Sequence, residues 1–330
     1  MSDNGGSSVT TGHLATRGDL MHDYVRPFLA RPETGALLAL MAMSLFLSLT
    51  TVQFLTVDNL LFVARAISYV AIAAMGACLV IITAGIDLSV GSVMGFCGVL
   101  TALLSVNYSV AVGLPVGIVA GAFIGLVNGA MISKLRLVPF MVTLGMLSVV
   151  RGLAYVTIGG WPVTGLPKLL RFLGQGFVAG VPVPIFFTFI FAIVLSWFLS
   201  RTSYGWYIYA VGGNEEATRL SGVPVDRVKM LVYTIAGLMG GIGGILLTAR
   251  LAVGESTAAY GYELDVIAAT VIGGTSLQGG EGSVVGVLLG AALMGVLRNG
   301  LVLLNVTAYW QQIVIGATIV VAILIDRLRR

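Results

Sequence analysis

"GGNEEATRLSGVPVDRVKMLVYTIAGLMGGIGGILLTAR", Gly212 to Arg250, joins two unlike kinds of sequence. Its polar part ends at Lys229 and carries three acids (Glu215, Glu216, Asp226) and three bases (Arg219, Arg227, Lys229). From Met230 to Ala249 there is no charge at all. An apolar run of about 20 residues matches a hydrocarbon core of about 30 Å. Comparable runs lie at about 35–54, 59–84, 88–106, 110–132, 139–158, 184–200, 264–276, 284–304 and 308–325. With 230–250 they predict an all-α fold, a polytopic transmembrane helical bundle of about ten spans. The 264–276 run is short for a crossing, so it is expected to be extended by its flanks, broken or re-entrant.

Composition agrees. The 330 residues are 58% hydrophobic and 10% charged, with a mean hydropathy of +1.01. A soluble domain carries roughly 25% charged residues, so this chain lacks the polar side chains to cover a water-facing surface. Membrane lipid is therefore its expected surrounding. The net charge of +4 is spread over short loops, which argues against a nucleic-acid partner. Cys78 and Cys97 both sit in apolar runs and read as small core residues. His13 and His22, the only histidines, lie in the polar N-terminal region. A histidine metal site within the bundle is thereby excluded, and no metal site is expected.

Residues 1–34 read as a disordered cytoplasmic tail and 35–330 as a single transmembrane domain. Lys and Arg concentrate on the cytoplasmic side of membrane proteins. With both termini inside, inner segments hold Arg17, Arg26, Arg31, Lys134, Arg136, Arg201, Arg219, Arg227, Lys229, Arg327, Arg329 and Arg330, the majority of the 18 Lys and Arg. The polar stretch then lies in a cytoplasmic loop of about 201–229. The long outer loop, about 159–183, contains an amphipathic "LPKLLRFL", a connector or a docking surface for an external partner.

Many of the 44 glycines recur four residues apart, as at Gly117, Gly121, Gly125 and Gly129, a spacing that lets two helix backbones approach closely. Two clusters do not fit such a stripe: "TAGIDLSVGS" from Thr83 and "GGTSLQGGEGS" from Gly273. Irregular backbone at membrane depth is tolerated where it is buried in protein or faces a watery cavity. These clusters are either tight cytoplasmic turns or the lining of a translocation path, with Thr83, Gly85, Asp87, Ser89, Thr275, Ser276, Gly279 and Gly280 as candidates. Arg151, deep in the fifth span, and Asn299 join them. Arg65, Arg250 and Arg298 lie near predicted outer ends, where long side chains can snorkel. Glu263 and Asp265 mark the outer start of the eighth span, as first-turn acids or as groups facing an outer partner.

None of the three lysines completes GxxxxGK[ST], and neither GxSxG nor HExxH occurs. The chain is not expected to act as an enzyme, and energy from ATP would have to enter through another subunit. In the polar stretch, Asn214 is placed as an N-cap with Glu215 and Glu216 in the first turn. Gly222 is placed to end the helix. A helix of about seven residues is marginal alone; it is either a solvated connector or leans on something through Ala217, Leu220 and Val223.

Four stretches in order, "TAGIDLSVGS", "GNEEATRLSGVPVDRVK", "YELDVIAATVIGGTSLQGGEGS" and "RNGLVLLNV", resemble the permeases of ribose- and xylose-type bacterial ABC importers, from about residue 58 onward. The resemblance implies a multi-pass subunit of the bacterial inner membrane that forms a homodimer. It implies a periplasmic sugar-binding protein outside, and inside an ABC ATPase with two nucleotide-binding domains that uses ATP and Mg. It also implies that Gly213, Asn214, Glu215, Glu216, Ala217, Thr218, Arg219, Leu220, Ser221, Gly222 and Val223 form the helix that docks into the ATPase. The cargo would be a monosaccharide; a polyol, an autoinducer-like furanose or a nucleoside are alternatives within the class. An ion-coupled secondary transporter is the alternative outside it, and would depend on Arg151 and Asp87.

Overall fold

A computed structural model describes residues 32–328. The tail expected over 1–34 falls outside the described residues up to position 31. Thirteen described helices follow in order: α1 Pro32–Thr50, α2 Val57–Ile82, α3 Val90–Asn107, α4 Val110–Lys134, α5 Pro139–Ile158, α6 Lys168–Gln175, α7 Val183–Arg201, α8 Ser203–Gly213, α9 Glu215–Leu220, α10 Val225–Leu251, α11 Tyr262–Ile272, α12 Val284–Leu303 and α13 Ala308–Leu328. A two-residue hairpin, β1 Phe177–Val178 with antiparallel β2 Val181–Pro182, sits between α6 and α7. Eight of these helices are long and apolar enough to cross a membrane, and with α11 and α13 they account for the ten segments. The fold is the expected polytopic helical bundle.

Helix α10 is its centre, packed against α2, α3 and α4. The glycine stripe of α4 explains that contact. A Cβ on Gly121 would lie 2.5 Å from the Gly237 carbonyl oxygen, and one on Gly237 would lie 2.8 Å from the Gly125 nitrogen. Here the two helix backbones touch, leaving no room for side chains. Around this centre the burial falls off sharply: 78% of the most apolar window of α2 is buried, against 17% in α1. The apolar side chains left exposed on α1, α4, α5 and α7 face outward, as a hydrocarbon surround requires.

Two crossings are not continuous helix. At 1.5 Å per residue the 11 residues of α11 span about 16 Å, roughly half the hydrocarbon thickness. Tyr262, its first residue, lies with its ring centroid 5.9 Å from that of Tyr69, near the midpoint of α2. The segment 252–261 therefore descends from the outer end of α10 to mid-depth before α11 begins. Beyond Ile272 the chain reaches the inner end of α2 without helix, where the Gly280 N–H donates to the Ile82 carbonyl (2.9 Å). Helix α3 likewise starts inside the bundle. The hydroxyl of Ser89, its N-cap, accepts from Asn128 (3.0 Å), about 9 Å above the end of α4 by helical rise.

The outer loop is folded onto the bundle. Helix α6 buries Leu170 and Gly174; Leu170 clusters with Ile245 and Ala249 of α10. Val163 pairs with Gly254 through both backbone hydrogen bonds (2.8 and 2.9 Å). The amphipathic face seen in the sequence thus packs on its own bundle, while Leu169 and Trp161 stay exposed.

Candidate coupling surface and translocation segments

The polar loop folds as its residue types predict. Asn214 adopts extended backbone, and its side-chain oxygen accepts the Ala217 N–H at 2.9 Å. Helix α9 runs six residues and closes at Gly222, whose φ of +84° suits a residue without Cβ. Thr218 turns inward, is buried, and donates to the carbonyls of Asn214 (2.7 Å) and Ala210 (2.8 Å). Lys229 bonds Glu215 at 2.6 Å, and Arg219 bridges Glu215 (3.2 Å) and Asp226 (2.9 Å). Partial burial pushes the Glu215 carboxyl up, but the hydrogen bond and charge of Lys229, helped by Arg219, outweigh it and leave it below the usual carboxylate range.

The helix is thereby stapled to the start of α10, and its other face is left open. Leu220 is 84% exposed, with Glu216 and Ala217 beside it on the exposed side. Val223 instead packs on the main core, so the apolar stripe expected over Ala217, Leu220 and Val223 is split between two directions. Next to it lies a cleft of about 530 Å³ bordered by Ser133, Arg136, Glu216 and Arg219.

The two glycine-broken segments meet directly above this loop. Asp87 is buried, and its Oδ1 accepts both the Ser89 N–H (2.8 Å) and the Ser89 hydroxyl (2.6 Å). The Ile86 carbonyl accepts from Thr143 of α5 (3.3 Å) and Tyr233 of α10 (3.4 Å). Thr83 is buried and donates to the Val80 carbonyl. Gly85 has no room for a Cβ, which would sit 2.6 Å from the Tyr233 hydroxyl. Thr275 and Ser276 are fully buried; Cys78 contacts the Thr275 hydroxyl at 3.4 Å. The Ser276 N–H donates to the Glu281 carbonyl (3.0 Å) and Gly279 bonds back to Ser276 (3.0 Å). At Gly212, just before α9, a Cβ would overlap the Ile82 carbonyl and lie 2.5 Å from the Gly280 nitrogen. The arm that carries α9 thus touches, at one point, the last residue of α2 just before the first segment and the second segment itself.

The remaining candidates lie elsewhere. Arg151 is buried in α5, and its Nη1 donates to the Ser256 and Ala258 carbonyls, each at 2.8 Å. It holds the descending 252–261 backbone at mid-depth, a structural duty that occupies the group an ion-coupled mechanism would need. Asn299 exchanges amide hydrogen bonds with Asn59 (2.8 and 3.1 Å) near the outer end. Asp265 is buried and paired with Arg298 at 2.6 Å, and Glu263 packs against Gly91 of α3. Both acids therefore sit within the bundle rather than on its outer rim. Sequence reasoning missed Asn128, Thr143 and Tyr233, which cage the Asp87 segment. A signal for Asn128 existed: it is the one amide in a helix whose other polar residues, Ser133 and Lys134, lie at its very end, and such residues are rarely idle.

With this architecture in view, comparison with known proteins is decisive. The family described as "Branched-chain amino acid transport system / permease component" matches residues 59–323. The chain belongs to this permease family. It is 42% identical over 299 residues to the ribose import permease protein RbsC of Escherichia coli (strain K12), covering 89% of this chain and 93% of that one. RbsC of Bacillus subtilis (strain 168) is 40% identical over 299 residues, 89% of this chain and 92% of the relative. The D-allose transport system permease protein AlsC of Escherichia coli (strain K12) is 36% identical over 290 residues, 86% and 88% of the respective chains. No solved structure matches the chain. The protein is thus a multi-pass, inner-membrane permease of the ABC sugar-importer class and not an enzyme.

Proposed function

We propose that this permease carries a ribose-like monosaccharide inward, received from a periplasmic binding protein and moved at the expense of ATP hydrolysed by a partner ATPase. The cargo reading rests on the 42% identity to a ribose import permease along 93% of that relative's length. The reading of ATP and Mg as the partner's cofactors rests on the missing phosphate-binding loop. Two copies of the chain would frame the path. Docking of the ATPase on α9 is supported by an apolar side chain, Leu220, held 84% exposed on an otherwise charged and internally braced helix. Its bonds to α10 make α9 a rigid lever, and Gly212 places the base of that lever against Ile82 and Gly280. Closure of the ATPase halves would then bias both broken segments at once, between outward- and inward-open arrangements.

The test replaces Glu216→Arg and Leu220→Asp together. Both residues are exposed, so the permease should fold while losing ATPase co-purification and uptake of radiolabelled D-ribose. Unchanged co-purification and uptake would remove α9 from the coupling role. Wild-type uptake of L-arabinose or D-allose in place of D-ribose would reassign the cargo and leave the coupling intact.

A further inference from the structure

A cavity of about 250 Å³ opens in the outer half of the bundle, among α2, the end of α10, α11 and α12. Its volume lies just below the roughly 300–1,000 Å³ of pockets for drug-sized ligands, which suits one small ring. One wall is aromatic: Phe62 and Tyr69 from α2 and Tyr262 from α11, the two tyrosines inclined at 48° with centroids 5.9 Å apart. Arginines lie over these rings, Arg250 at 5.2 Å from the Phe62 centroid and 5.4 Å from that of Tyr69, and Arg298 at 5.9 Å from that of Tyr262, and an ionisable residue within a bundle is by default a functional one.

These groups keep spare hydrogen-bonding capacity. Arg298 is committed to Asp265 through Nη2 alone (2.6 Å), and its side chain remains 46% exposed. Arg250 donates from Nη1 to the Tyr69 hydroxyl (2.6 Å) and has no acidic partner among the described residues. Each guanidinium offers five donors, and the carboxylate of Asp265 retains acceptor capacity beside them. Planar donors held in place by aromatic rings, with an acceptor beside them, match a ring whose edge bears hydroxyls. A hydrocarbon tail would leave the charges unmet, and a cation would meet the uncompensated Arg250.

We propose that this cavity is a seat for a single neutral monosaccharide ring on its route through the permease, with Asp265, Arg298 and Arg250 binding hydroxyls and Phe62, Tyr69 and Tyr262 holding the two guanidinium groups in place. The proposal rests on the sugar-permease reading above and adds where in the chain the sugar is held.

The experiment uses the full permease with its ATPase and binding protein in proteoliposomes. Ala66 lines the cavity, and Ala66→Phe should fill it, lowering uptake at least about tenfold. Asp265→Asn removes a charged hydrogen-bond partner and should lower the uptake rate at saturating, sugar-loaded binding protein by about tenfold. Because either variant can fail to assemble, a third measurement uses Ala66→Cys. Cys78 and Cys97 are fully buried, so a membrane-impermeant maleimide should report position 66, and the transported sugar should slow its labelling. If assembled variants transport normally and the sugar gives no protection, the cavity is not on the route and the proposal is overturned. If the wild type takes up none of D-ribose, L-arabinose or D-allose, it is the sugar-permease reading that fails.

Discussion

The segments 83–89 and 273–283 share a composition and an end of the bundle, yet they are held by different means. The first is fixed by side chains of three helices, Asn128, Thr143 and Tyr233, which converge on it from outside, and Asp87 closes it from within. The second combines backbone bonds, Ser276 to Glu281 and Gly280 to Ile82, and close glycine contacts with hydroxyl bonds at its two ends, Cys78 to Thr275 and Tyr209 to Gly282. A polar cage has discrete partners that must all be broken to move. A backbone contact between glycines cannot accept a Cβ. The first segment therefore depends on its side-chain partners, and the second also on an approach too close for a Cβ.

Each difference gives a way to break the comparison. The largest effect is expected where Gly212 meets the end of α2 and the second segment. Gly212→Val places carbon where the Ile82 carbonyl and Gly280 nitrogen now lie, and should destabilise by about 1–3 kcal/mol while abolishing uptake. A variant that melts and transports normally would show the contact to be loose. Next, Asp87→Ala removes both bonds to Ser89 in a buried site and should cost about 1–3 kcal/mol, read as a lowered melting temperature. Asn128→Leu should cost less, since it breaks one bond to Ser89 and removes an Oδ1 that has no partner in the fold. If Asp87→Ala were the milder of the two, the cage would be centred on α4 instead.

The smallest effect is a pH dependence at the brace of α9. The Glu215 carboxyl is lowered from 4.5 in the fold, so its stabilisation is fully present above that value and fades as pH falls through the lower, folded one. The melting-temperature difference between wild type and Glu215→Gln should therefore hold from about pH 7 to 5 and shrink below about pH 4. A difference that vanished by pH 6 would contradict the bond to Lys229.

Much of this was legible beforehand for identifiable reasons. Span positions follow from run length, and the cap at Asn214, the stop at Gly222 and the packing of the Gly117–Gly129 stripe follow from local stereochemistry. The α9 interval is legible in the sequence because its cap and first-turn signals act within four residues. Three things were not legible: the depth at which α3 and α11 start, the commitment of Arg151 to the carbonyls of residues 256 and 258, and the burial of Asp265 that a boundary reading places at the outer rim. Each depends on contacts between residues more than thirty positions apart.

By itself, then, the sequence determined a polytopic helical bundle, the short helix of its polar loop and the two glycine-broken segments. These rest on hydropathy and backbone preferences that are local. The tertiary structure alone decided that Gly212 meets the end of α2 and the second of these segments, that Asn128 guards the first, and that Tyr69, Arg250, Tyr262, Asp265 and Arg298 surround one cavity. Those groups come from separate helices, and only packing, through backbones brought together at glycine, sets the distances between them.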